Sequence, residues 1–500
     1  DSADSPVIAY SAVADNGVNR QVYARRWIGG VGDLSDIGKW KHMDGQWFEM
    51  AFSGGGQGIS KTIADSEEPS VAVSGTNVYV AWKEGQQTPI TKSRIYLRWF
   101  DGGAWQELAG SATEYGVSGL SEYDARKPAV AVMGDGRPVV AWKRTHSVST
   151  GERVFVARWN GTNWVGLANS HTNGIAYDGN YRLVDDLDMI VDSSGMPVVA
   201  WADTTLQRIV TRRWNGSSWQ SLPDQGSTFV QWPKLAAGSA GQIYLTWVET
   251  YGGSPLPYLS QQVYVSRYSG GSWSAIGGST TFPGVSASTN GIPFHPAIGV
   301  STGGTPYVTW VNGTNNLNSA FVKKYEGGAW VGVAGAGAPP GVALAGGVSR
   351  SSQIAVDSKG VPVVVYENTG SGTEEILGYK LVSDTLPPIF AGLATATGGA
   401  SSNVVLAWNA AADNFSTNIF YYIYRGPTAW DCWDIPMCPP ADVFGNLIAV
   451  VTNATTFNVT GLTPYKQYCF GVRARDESGF MDANTVTRSA GPTTAGVDCY

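Results

Sequence analysis

A five-residue phrase ending in an aromatic ring recurs seven times before residue 384, and it limits the folds open to this chain more than any other feature. The clearest copy is Pro138-Val139-Val140-Ala141-Trp142. The same phrase returns as VYVAW ending at Trp82, PVVAW at Trp201, IYLTW at Trp247 and PYVTW at Trp310, with weaker copies PVIAY at Tyr10 and PVVVY at Tyr366. The endings lie 72, 60, 59, 46, 63 and 56 residues apart. Such a loose period means one supersecondary unit repeated along the chain, with its length variation placed in loops.

Each full copy has companions. Ahead of it lies a short strand, such as Pro128-Ala129-Val130-Ala131-Val132 or Pro296-Ala297-Ile298-Gly299-Val300, joined through a tight polar turn: GDGR, SSGM, SAGQ, TGGT or SKGV. These turns suit hairpins, because glycine takes positive φ at no steric cost. After it comes a third strand, VFVARW ending at Trp159, and a turn through Asn160-Gly161-Thr162-Asn163 into a fourth strand at Trp164. The ending repeats at Trp99 to Trp105, Trp214 to Trp219, Tyr268 to Trp273 and Tyr325 to Trp330. Four short antiparallel strands, apolar on both faces, are what a propeller blade needs, since each blade is sandwiched between two neighbours. The repeat therefore predicts an all-β chain with a seven-bladed β-propeller over residues 1–384. The first copy lacks a recognisable first strand and the seventh stops at Leu381 without a fourth, so N-terminal and late segments are expected to share a closing blade. The longer connections all emerge on one rim, where binding residues tend to sit on a rigid scaffold.

Composition agrees. The chain has 63 Gly in 500 residues, nearly twice the roughly 7% of average usage, with 20 Trp, 23 Tyr and only 15% charged residues. Disordered chains, coiled coils and collagens do not look like this. A net charge of −7 and a pI near 5.2 provide no basic stripe for phosphates, so nucleic acid is not an expected partner. No apolar run approaches the roughly 18 residues of a membrane span. A start at Asp1, without a Met or a basic-then-apolar leader, reads as a processed, mature protein.

After Asp384 the texture changes. VVLAWNAAADN with Trp408, YYIYRG with Tyr424, and TTFNVTGLTPYKQYCFGVRARDESG follow in order, and this stretch resembles fibronectin type III domains, whose core markers are that Trp, that Tyr and the GLTPxxxY turn. The resemblance implies a β-sandwich over residues 385–500, of a class that serves as spacer or adhesion module outside cells; alternating apolar strands between turn signals support a sandwich independently. The four cysteines all lie here, at spacings unlike a zinc site. Of their three pairings, Cys432 with Cys438 and Cys469 with Cys499 is the one expected, and disulfides imply an oxidising compartment.

The turn between third and fourth strands also resembles the Asp-box, S-x-D-x-G-x-T-W, of secreted bacterial propellers of the BNR or sialidase type. Gly161 to Trp164 and Gly216 to Trp219 keep its spacing, but Trp159 and Trp214 stand in place of the aspartate, and Ser35-Asp36-Ile37-Gly38-Lys39-Trp40 is one residue short on each side of its centre. The resemblance is thus one of architecture, without true Asp-boxes. No catalytic residue is expected, since His42, His146, His171 and His295 form no triad order or metal pair.

The repeated tryptophans read as core between blades and not as sugar platforms. The repeated cations Arg26, Arg98, Arg158, Arg213, Arg267 and Lys324 read as stacking on neighbouring rings. Aromatics that break the repeat are better ligand candidates: Tyr115, Tyr123, Tyr177, Tyr181, Trp232, Tyr251 and Tyr258, whose flat rings with polar edges suit a glycan or a protein partner. No cofactor is expected; the one ion the chain could take is Ca²⁺, on oxygens of Asp178, Asp185, Asp186 and Asp188, which lack the DxDxDG spacing. The primary expectation is a secreted or cell-surface, non-enzymatic binding or surface-structural protein whose rim recognises a glycan or extracellular protein. The alternatives are a polysaccharide-active glycoside hydrolase or lyase, and a self-associating subunit of an extracellular filament or surface layer.

Overall fold

The computed structural model describes the chain except residues 2–3, 15–16, 28–39, 44–46, 52, 54–55, 57, 86–91, 114, 148–150, 176–179, 251–260, 289–291, 315–316, 338–340, 343–348, 370–374, 382–386, 400–401, 414–417, 432–437, 477–478 and 493–500. One compact unit comprises Asp1–Trp27 and Trp47–Leu381, and a second comprises Ile28–Gln46 and Val382–Tyr500.

The repeat becomes seven antiparallel sheets, arranged as the blades of a β-propeller. Blade one holds strands β1 (Val7–Val13) and β2 (Arg20–Trp27) with Trp47–Glu49. Blades two to six are four-stranded meanders. Their innermost strands are Ser66–Ser74, Ala125–Val132, Val184–Val191, Gln231–Ala237 and Ile292–Val300. Blade seven runs Ser349–Val356, Pro362–Asn368 and Glu375–Leu381 and takes Trp40–His42 as its fourth strand. The N-terminal and late segments therefore do share a blade, because Trp40–His42 supplies the outer strand that the seventh copy lacks.

The repeated tryptophans make the core between blades. Trp82, Trp142, Trp201, Trp247 and Trp310 are at most 2% exposed. Trp142 packs with Tyr79, Ala81 and Ile95 of the preceding blade, and Trp201 with Val139, Ala141 and Val154 of its predecessor. At about 25 cal/mol per Å² over roughly 200 Å², each buried indole contributes up to about 5 kcal/mol before entropy is counted. Rings held this way offer no face to a sugar.

At the rim of the hairpin turns the blades touch backbone to backbone. A Cβ on Gly134 would lie 3.0 Å from the Cα of Gly195, and Gly195 itself has φ +76°, so glycine is required there twice over. Five of the six repeated cations reach carboxylates: Arg158 pairs with Asp135 at 2.8 Å, Arg213 with Asp192 at 2.6 Å, Arg26 with Asp1 at 3.0 Å, Arg98 with Glu107 at 3.4 Å and Lys324 with Glu326 at 2.9 Å. A charged partner close to the cation outcompetes a ring face.

The second unit is a sandwich of two sheets. One holds Leu393–Gly398, Val404–Trp408 and Thr456–Val459, and the other Leu447–Thr452, Phe420–Asp431, Lys466–Arg475 and Thr487–Ala490. Trp408, Tyr421, Leu406 and Phe470 fill the space between them. The Thr463 N–H donates to the hydroxyl of Tyr468 at 3.1 Å, tying the turn back to the strand that follows it. The expected disulfides are corrected: Cys438 pairs with Cys469 across 5.4 Å between Cα atoms. Cys469 is buried on Lys466–Arg475, and Cys438 precedes a short helix, Pro440–Val443, whose Val443 packs beside it. The fold carries the loop over this strand, so nearness in space overrides nearness in sequence. Cys432 and Cys499 lie outside the described residues.

Candidate functional site

The innermost strands share an irregularity. In each of blades two to seven the pairing with the second strand slips by one residue near the longer-loop end: between Glu67 and Ser70, Ala141 and Lys143, Val184 and Leu187, Gln231 and Lys234, Phe294 and Ala297, and Ser349 and Ser352. Bulges of this kind re-aim a side chain out of the pleat. In four of them a bulky residue is held in the left-handed region: Glu68 at φ 54°, Lys127 at 53°, Trp232 at 50° and His295 at 47°. Such residues are outliers in this region and cost of order 1–3 kcal/mol each, which the surrounding sheet must over-determine. Each directly precedes a proline, Pro69, Pro128, Pro233 or Pro296. Asp186 occupies the corresponding place in blade four, inside the Val184 to Leu187 irregularity.

These residues meet one another from blade to blade. The Lys127 backbone N–H donates to Glu68 Oε2 at 2.7 Å, and the Lys127 ammonium lies 2.8 Å from Asp186 Oδ1. The rings of Trp232 and His295 lie 4.5 Å apart, inclined by 34°. Charges on Asp186, Lys127 and Lys234 are all felt at His295, so the ring of residues converges across blades and not only between neighbours. Outside it, Asp188 Oδ2 accepts from the Leu235 N–H at 2.8 Å and Oδ1 lies 3.4 Å from the Lys234 ammonium.

Burial and neighbouring charge act on Asp185, Lys127 and His295. Burial, reinforced by the charge of Asp186, pushes Asp185 above its ordinary range against the pull of Lys143 and Lys127. Burial draws Lys127 down, but the charge of Asp186 and its hydrogen bond outweigh this and hold the ammonium above its ordinary value. Burial keeps His295 below its usual pKa and so neutral at pH 7. A carboxyl that holds its proton more tightly than usual, such as Asp185, is able to act as a proton donor.

Two polar cavities lie farther out among the longer loops. One of 290 Å³ is lined by Glu152, Arg153, Arg182, Asp203, Arg212 and Asp224; another of 260 Å³ by Lys92, Tyr123, Asp124, Arg126, Lys143 and Glu152.

The ligand candidates fall on different blades. Trp232 is in the ring, half-buried against His295. Tyr123 lines the smaller polar cavity, Tyr115 is exposed beside Arg94, and Tyr181 is exposed at the entry to blade four. Tyr177, Tyr251, Tyr258 and Asp178 lie outside the described residues, as do Ser35 to Lys39. Asp186 and Asp188 are committed to lysines, and among the described residues no group of three or more His, Cys, Asp or Glu could hold a metal ion. Sequence reasoning passed over Glu68, Lys127 and His295 as members of one site. The signal available was the residue before the recurring first-strand proline.

No family model matches the chain. A stretch is 30% identical over 147 residues to "Chitinase A1" of Niallia circulans, covering 27% of this chain and 18% of that protein. Among solved structures, the chain is similar to "Hadza microbial sialidase Hz136" at 13% identity and a TM-score of 0.42, covering 72% of this chain and 73% of that one. It is similar to a Trypanosoma rangeli sialidase in complex with the inhibitor DANA at 10% identity and 0.38, covering 85% and 88%. A protein of unknown function from Dyadobacter fermentans gives 12% identity and 0.39, covering 63% and 94%.

Proposed function

We propose that this chain is a glycan-active protein of the cell exterior, a glycoside hydrolase that works on polysaccharide at the inner-strand ring. The observation carrying this reading is the inner-strand ring, where Asp185, a carboxyl that burial pushes above its ordinary range, adjoins Asp186, whose Oδ1 lies 2.8 Å from the Lys127 ammonium. Asp185 is the proton donor to the leaving oxygen, Asp186, paired with Lys127, faces the developing oxocarbenium ion, and water adds to the sugar carbon as the glycosidic bond breaks, its proton passing to the Asp185 carboxylate. Trp232 and His295 give the sugar a flat apolar wall. This reading replaces the non-enzymatic one with a site of defined chemistry. The sandwich is read as a fibronectin type III-like spacer, consistent with the Tyr468 hydroxyl capturing the turn before it. The Cys438–Cys469 disulfide supports an oxidising, extracytoplasmic setting.

The test is release of reducing ends from a panel of neutral and acidic polysaccharides, with Asp185→Asn and Asp186→Asn alongside. Activity on at least one polymer, lost in both variants, is expected. No turnover on any polymer, or turnover that survives both substitutions, would overturn the assignment.

A further inference from the structure

The second strands carry another repeat, two residues past the aromatic ring. Glu84 stands there in blade two and Glu249 in blade five, and each accepts the indole N–H of its own blade, from Trp82 at 2.8 Å and from Trp247 at 3.0 Å. Each also accepts a hydroxyl, of Ser66 at 2.8 Å and of Ser227 at 2.6 Å. Asp203, Asn312 and Asn368 hold the position in blades four, six and seven, so five of these six blades place an acceptor there. Blade three has Arg144, a side chain with five donors and no acceptor.

The surroundings record the exchange. The indole N–H of Trp142, 0% exposed, is left without an acceptor. The Arg144 guanidinium lies over the Phe155 ring, 4.0 Å from its centre, and donates to the Ser118 carbonyl at a long 3.4 Å. The charge it feels is that of another cation: burial, and then Arg94, bring Arg144 down to about 10. Arg94 is itself buried, with its terminal nitrogens donating to the carbonyls of Ser93 at 3.0 Å and Ser121 at 2.8 Å. Asp124 acts on Arg94 and accepts from the Ser93 N–H and hydroxyl, but among the described residues no carboxylate pairs with Arg144. The His171 ring meets that of Trp142 edge-on at 5.9 Å, and burial, then the charge of Arg144, hold it below its usual pKa.

A half-buried guanidinium next to a second cation, at a place where sister blades carry a carboxylate of their own, is short of one anion. Arg144 stands at the rim of the longer connections. The connection that supplies Ser118 and Ser121 also presents Tyr115 and Leu120, 43% and 74% exposed, and Tyr115 is close enough to act on Arg94.

We propose that Arg144 receives the carboxylate of a uronic acid residue in an acidic polysaccharide, with the charge of Arg94 added to its own and the Tyr115 ring as a wall beside the sugar. The ligand class rests on the glycan reading above, and the site does not depend on the hydrolytic step. Guanidinium and carboxylate match through two parallel N–H···O bonds, and the Phe155 face holds the guanidinium in place beforehand. With a net charge of −7 the chain as a whole repels a polyanion, so the attraction is local.

The test is calorimetric binding of polygalacturonate, and of the same polymer as its methyl ester, to the full chain at about 0.15 M salt. The acid form is expected to bind and the ester not to, and Arg144→Gln should weaken the acid form at least about tenfold. Arg144→Glu tells a binding group from a structural one. It restores the glutamate of blades two and five, so the thermal midpoint holds or rises as Trp142 regains an acceptor, while polygalacturonate binding is lost. Binding is also measured in Asp185→Asn, where it should persist; a chain that turns over no polymer but binds through Arg144 supports this site while the hydrolase reading falls. Equal binding of the ester, undiminished binding by Arg144→Gln, or a lowered midpoint in Arg144→Glu would each overturn the proposal.

Discussion

Two rings of residues run round the same propeller and do opposite work. The second-strand ring keeps one residue type, Trp82, Trp142, Trp201, Trp247 and Trp310, and buries it. The inner-strand ring keeps one backbone irregularity and varies what it presents: Glu68, Lys127, Asp186, Trp232 and His295. Where the side chain repeats, every blade meets the same packing demand. Where only the backbone repeats, the scaffold holds unlike groups at a common place, which is what a site with an acid, a cation and an aromatic wall requires.

The comparison breaks first at the carboxyls. Asp185→Asn and Asp186→Asn should each lower polysaccharide hydrolysis by about 10²–10⁴-fold with the fold retained, measured as kcat on whichever polymer of the panel is turned over. Asp185 is raised above its ordinary 3.8 in the folded chain. The native state therefore binds that proton more tightly than the unfolded one, and stability falls as pH rises from about 3.8 through the folded value. Asp185→Asn should accordingly raise the thermal midpoint at pH 7 while activity falls; a drop in both would make Asp185 a structural residue.

Trp142→Ala should do the reverse, costing about 3–5 kcal/mol in urea unfolding while the folded fraction keeps its specific activity. Smaller is Arg213→Ala. It leaves the Asp192 carboxylate, whose side chain is 0% exposed, with backbone donors alone, for roughly 1–3 kcal/mol of stability and no change in kcat. The smallest effect is pH-dependent. His295 is held below 6.5 by burial, so the unfolded chain takes up its proton first and stability falls as pH drops below about 6.5 towards the folded value. His295→Gln should flatten the slope of the thermal midpoint against pH in that window.

Much of the propeller was legible, because each blade is written locally. The alternation of PVVAW and the glycine turns specify a hairpin without reference to any other blade. Blade one shows the limit of that reading. Its hairpin turn, Asp1 to Ser5, has aspartate at the left-handed position, so the glycine signal is missing although the bonding pattern is intact. The cation ring shows another. Arg158 and Arg213 repeat visibly, but nothing local says that Asp135 and Asp192 in the preceding turns will meet them. Cys438 and Cys469 make the same point in the sandwich, where a strand and a loop 31 residues apart come together only through the fold.

The sequence by itself determined the repeated hairpins and which of their faces are apolar, because pleat period and turn chemistry act over two to five residues. The tertiary structure alone decided that residues 68, 127, 186, 232 and 295 share a site and that Trp40–His42 completes blade seven. Closure of the ring brings together positions separated by whole blades, and whether a strand finds a partner depends on what lies beside it in space.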